Sequence, residues 1–130
     1  MSDELIVPRS KLFDRVLTKI MSNIKKGSIM LLDNNGFQIA EVNNDRKYTE
    51  QFWGSANRII DAGEKVLKEL GQSKFNQVFE SESYYLMCGP VNKDISYAIL
   101  SSKEKMSLGM LKLYAQSLCK DVQSIDEPIL

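Results

Sequence analysis

Between Ser10 and Lys26 the apolar residues are Leu12, Phe13, Val16, Leu17, Ile20, Met21 and Ile24. They recur every three or four positions, which predicts an amphipathic helix with one broad apolar stripe. Pro8 suits its entry, and Gly27 suits a left-handed residue at its end. The period then changes. Apolar runs over Ser28–Leu32 and Phe37–Val42 flank the polar tetrad Asp33-Asn34-Asn35-Gly36. This predicts a strand–turn–strand hairpin, because Asn and Gly accept the positive φ angles of tight turns.

A polar connection over 43–48 leads to a second helix, with Thr49 as N-cap, Glu50 in its first turn and Gly71 closing it after Leu70. This helix carries two apolar stripes. Phe52, Ile59, Gly63, Val66 and Leu70 form one; Trp53, Ile60 and Leu67 form another, with Ala56 between them. A helix on one sheet needs a single stripe, and a domain of this size has little material to bury it from both sides. The preferred reading puts one stripe on the sheet and the Trp53–Ile60–Leu67 stripe against a partner; Trp53 fits an interface anchor or a core position equally. Small residues (Gly54, Ser55, Ala56, Ala62, Gly63) suit close helix approach.

Three strand-like runs follow, over 74–80, 84–88 and 95–101. In the first, Phe75, Gln77 and Phe79 alternate with Asn76 and Val78, and its polar members predict an edge strand with free backbone groups. Tyr84 and Tyr85 must point to opposite faces of their strand. Ser81-Glu82-Ser83, Gly89-Pro90 and Asn92-Lys93-Asp94 are predicted as turns. A last helix spans about 107–122, leaving a loose tail over 123–130 and an N-terminal extension over 1–9. The sum is a single α+β domain over residues 10–122, an α/β sandwich. It has one five-stranded antiparallel sheet, in the order helix-β-β-helix-β-β-β-helix, with helices on both faces.

Composition removes most chemistry. The chain has 130 residues, 17 basic and 17 acidic, and no histidine. A net charge of zero gives no global field toward nucleic acid or anionic lipid. Without histidine the usual general base, the Ser-His and Cys-His pairs and most transition-metal sites are gone. Cys88 and Cys119 read as buried free thiols in a reducing compartment. The N-terminus lacks signal-peptide character and no run reaches membrane-spanning length, so a soluble cytoplasmic protein is expected. No G-x-x-x-x-G-K-[ST], G-x-G-x-x-G or C-x-x-C occurs. Asp33 is read as shaping its turn, Asp61 and Glu64 as solvated helix charge, and Lys103 and Lys105 as a solvated turn. No catalytic residue, cofactor or metal is expected.

The element order and four local motifs resemble the Roadblock family, which includes the Roadblock dynein light chains and the MglB-type regulators of Ras-like GTPases. The motifs are L-L-D-N-N-G-F-Q-I-A-E in the hairpin, Y-L-M-C-G-P-V over 85–91, Y-A-I-L over 97–100 and L-G-M-L-K over 108–112. The resemblance covers about residues 10–122. It implies a homodimer made by pairing second helices and third strands, placing Trp53, Ala56, Ile60, Gly63, Leu67, Phe75, Gln77 and Phe79 at the dimer interface. It further implies a small GTPase on the exposed side of the paired helices, with Asn57, Arg58, Asp61, Glu64 and Lys68 as its contacts. The expected function is therefore a non-enzymatic dimeric regulator or scaffold for a Ras-like GTPase, with a GTPase-activating role among its forms. A structural adaptor of a motor or membrane-associated complex is the alternative. A small-molecule sensor is a third reading, disfavoured by the scarcity of polar residues expected inside.

Overall fold

A computed structural model of the chain describes residues 8–44, 50–71 and 76–126, the side chains of 50–57, 59 and 126 excepted. Its elements are α1 (Arg9–Met21), β1 (Gly27–Asp33), β2 (Gln38–Asn43), α2 (Glu50–Glu69), β3 (Gln77–Glu80), β4 (Tyr84–Pro90), β5 (Ile95–Ser102) and α3 (Leu108–Asp126). The five strands form one sheet in the order β2-β1-β5-β4-β3, every neighbouring pair antiparallel. The α+β architecture and element order expected from the sequence are what the chain adopts.

Side-chain alternation splits the sheet into two faces. Ile29, Leu31, Met87, Ile95, Tyr97 and Ile99 join Phe13, Leu17 and Ile20 of α1 and Leu111, Leu118 and Val122 of α3 in the main core. Met30, Leu32, Cys88, Ala98 and Leu100 point the other way and meet Ile60 of α2. Tyr85 packs against the first cluster and Tyr84 against the second, as their adjacency requires.

The hairpin turn is built by Asp33, whose carboxylate accepts the backbone N–H groups of Asn35 and Phe37, each at 2.9 Å. Gly36 supplies the left-handed residue at φ 81°, where a side chain would cost about 1–2 kcal/mol. Gly71, at φ 76°, closes α2 as its position predicts.

Four expectations need correction. First, α1 stops at Met21, and Gly27 is no helix cap but the first residue of β1. A Cβ there would lie 2.0 Å from the Leu100 carbonyl oxygen, so glycine is set by strand approach rather than by φ. Second, Gly89 and Pro90 continue β4, paired with Tyr97 and Ser96; the turn comes afterwards, where Asn92 Oδ1 accepts the N–H groups of Asp94 and Ile95. Third, α3 passes Val122 and runs to Asp126, tied down where Gln123 Nε2 donates to the Val91 carbonyl at 2.5 Å. Fourth, Lys103 is half-buried and paired rather than free in a solvated turn: it bonds Glu80 at 2.5 Å and lies 5.0 Å from the centre of the Tyr85 ring. The described part of the third strand is Gln77–Glu80.

Candidate functional site

The two stripes of α2 are assigned by what lies beneath them. Ile60 is 4% exposed and fills the small core over Met30, Cys88 and Ala98. One turn on, Gly63 lies against β3: a Cβ on it would stand 2.2 Å from the Gln77 amide, which donates from Nε2 to the Ile60 carbonyl at 3.2 Å. Gly63 and Gln77 thus form a contact inside the protomer. Leu67, seven residues after Ile60, is half-buried on the same side. The stripe carrying Ile60 and Leu67 therefore faces the sheet, and Val66 and Leu70 of the other stripe face outward at 58% and 67% exposure. Ile60, Gly63 and Gln77, expected at the dimer interface, thus have their described contacts inside the protomer, and Leu67 lies on the same side as Ile60. Helical periodicity cannot separate two adjacent stripes of similar apolar content; the side chain that Gly63 admits decides between them.

The outward apolar flank is next to an open sheet edge. Because Gly63 meets Gln77, the side of α2 that carries Val66 and Leu70 is the side toward β3. β3 is the last strand of the sheet, with one backbone edge unpaired by any described residue. Phe79, two residues from Gln77 and hence on the same sheet face, is 43% exposed. Val66, Leu70 and Phe79 with the β3 edge make an apolar border along one side of the molecule, the arrangement a second sheet could extend.

The charged arc of α2 lies elsewhere on the helix. Arg58, Asp61 and Lys68 are exposed, and Asp61 pairs with Lys65 across one turn at 3.3 Å. Glu64 is half-buried. Expected contact residues Trp53, Ala56, Asn57 and Phe75, and the N-cap Thr49, lie outside the described residues or have side chains that do.

Both thiols are shielded. Burial raises Cys88 from an ordinary 9.0 to about 12 and Cys119 to about 11. Burial, then the neighbouring Cys119 and Cys88, push the Tyr97 phenol well above its usual range, and its hydroxyl donates to Asn76 Oδ1 at 2.5 Å. None of these groups is poised as a nucleophile, since each is held in its neutral form. Tyr97 and Asn76 border a half-open cleft of about 860 Å³ between α2, α3 and the β4–β5 turn, which Lys68, Asn92, Gln116 and Lys120 also line. No local pattern in the chain signals this polar cleft, because its lining comes from separate elements that meet only in the fold.

Neither a family model nor a curated protein matches this sequence. Solved structures do match the fold. The gliding protein MglB from Thermus thermophilus superposes with a TM-score of 0.79 at 18% identity, covering 92% of each chain. MglB of Myxococcus xanthus gives 0.79 at 16% identity over 96% of this chain and 98% of its own. A Roadblock/LC7 domain from Streptomyces avermitilis gives 0.67 at 16% identity over 87% and 93%. The chain has the Roadblock/MglB fold.

Proposed function

We propose that this chain is a non-enzymatic homodimeric regulator that binds a Ras-like small GTPase. The observation that carries the reading is the unequal use of α2: its Ile60 side seats on the sheet, while Val66 and Leu70 stay exposed beside an unpaired β3 edge in an MglB-like fold. A second copy joined through β3 and this flank would continue the sheet and cover the apolar border. Of the residues expected at the interface, Phe79 supports this reading, Val66 and Leu70 join it, and Ile60 and Gly63 act from within the protomer. The charged arc of Arg58, Asp61 and Lys68 stays open for a GTPase. Such a partner would be regulated by ordering its own catalytic segments, which needs no catalytic group from this chain.

The test is binding and single-turnover GTP hydrolysis with a Ras-like GTPase encoded in the same genome. Nucleotide-dependent binding at micromolar concentration, weakened by D61K, is expected. Binding that ignores the nucleotide favours the adaptor reading, and no binding sinks the regulator.

A further inference from the structure

We propose that the α1/α3 face, opposite α2, is a docking surface for an anionic lipid bilayer. The chain is neutral overall, but its charge is not evenly spread. Phe13, Leu17 and Ile20 turn one side of α1 into the core. Lys11, Arg15 and Lys19, spaced four apart, therefore form a single row along its outer side, and all three are exposed. Lys25 and Lys26, in the connection from α1 to β1, are exposed as well. Among the described residues none of these five has an ion-pair partner. Like charges one turn apart weaken a helix, so this row carries a cost that an anionic surface would relieve.

The neighbouring helix adds what a bilayer can use. Leu111, Leu118 and Val122 hold α3 onto the same core, so its opposite side points outward beside the row on α1. That side presents Leu113 at 65% exposure, with Lys120 two turns on. Asp14 and the half-buried Asp121 are the only carboxylates on the described side chains of the two helices. A basic layer with one protruding leucine matches an interface of anionic headgroups over acyl chains.

The choice of a bilayer over an acidic peptide or nucleic acid comes from the exposed Leu113 among the cations and from extent, and the second ground rests on the proposed dimer. A two-fold axis perpendicular to a sheet joined through β3 keeps both α1/α3 layers on one side. The result is a doubled basic face, with both α2 helices turned away from it. A bilayer extends far enough to meet both copies at once.

The test is co-sedimentation with vesicles of phosphatidylcholine alone and of phosphatidylcholine with phosphatidylserine. Retention only by the phosphatidylserine vesicles, lost at about 0.5 M salt, is expected. Each cation near the surface contributes about a fivefold gain in partitioning, so K11Q/R15Q/K19Q should lower it about a hundredfold. L113S should lower it about tenfold. K25Q/K26Q, outside any helix, should act in the same direction and guards against a misfolded triple variant. Equal retention on both vesicles, retention on neither, or an unaffected triple variant overturns the proposal. So does capture by polyglutamate or duplex RNA without vesicle binding. Sedimentation velocity on the same samples separates the two claims. A monomer that still binds phosphatidylserine removes the dimer and keeps the surface, whereas a dimer that ignores it removes the surface alone.

Discussion

The two faces of the sheet are built to different standards. On one, α1 and α3 bring Phe13, Leu17, Leu111, Leu118 and Val122 onto Ile29, Leu31, Tyr97 and Ile99, nearly all fully buried. On the other, Ile60 is the one described α2 side chain in a cluster whose sheet members include the small residues Cys88 and Ala98. The first face completes a core without help. The second seats one side of its helix on the sheet and leaves Val66 and Leu70 in water, which costs little in folding and leaves surface for a partner. The main core thus lies on the α1/α3 side of the five strands, and the exposed Val66 and Leu70 lie on the α2 side.

Truncating one buried side chain on each face tests this difference most directly. Leu17→Ala should cost about 4 kcal/mol and Ile60→Ala about 2 kcal/mol, read from urea unfolding. Equal costs would mean that the α2 face is as tightly built as its opposite. A chemical contrast follows from the thiols, Cys88 beneath α2 and Cys119 on α3. Cys119 is half-buried and can react in the folded chain, whereas Cys88 is fully buried and needs the α2 face to open. Alkylation of Cys88 should therefore begin below the global unfolding midpoint, and modification by mass spectrometry that only tracks global unfolding would contradict the thinner face.

The same thiols set a pH dependence. Their folded values, about 12 and about 11, lie above the ordinary 9.0. The unfolded chain therefore releases these protons first. The stabilisation is fully present below pH 9 and is lost as pH rises through the folded values. A urea midpoint that stays level as the pH climbs from the ordinary thiol value of 9.0 to the Cys119 value of about 11 would contradict the burial of both groups.

Smaller effects sharpen the outward flank. V66E/L70E should change monomer stability by no more than about 0.5 kcal/mol while abolishing dimers in sedimentation; a dimer that survives it uses another surface. Gly63→Ala should be nearly neutral. Alanine gains about 1 kcal/mol of helix propensity, and the displaced Gln77 amide loses a hydrogen bond worth about as much. A large loss in thermal unfolding would show that Gln77 cannot move aside.

What can be read in the sequence is whatever depends on neighbours in the chain. The Asp33–Gly36 turn, the Gly71 stop and the opposed tyrosines follow from local geometry, and each sits where that geometry puts it. Contacts between distant segments are hidden. Gly27 looks like a helix cap until Leu100 arrives across the sheet. Gly89-Pro90 looks like a turn because the residues that make it a strand, Ser96 and Tyr97, come later. The stripes of α2 cannot be assigned without Gln77; the basic row on α1 is local in the chain, but a balanced total charge does not reveal it.

The place of β1 sets a timetable for making this protein. Its residues pair with β2 through a tight turn, but the other edge of Ser28–Leu32 pairs with β5 at Ser96–Leu100. About sixty residues lie between Asp33 and Ile95, which takes roughly 3–12 seconds at a ribosomal rate of about 5–20 residues per second. Through that interval a strand with Ile29, Met30, Leu31 and Leu32 has an open, greasy edge and no covering α3. Chaperone demand during synthesis should therefore concentrate on nascent chains that carry β1 and lack β5.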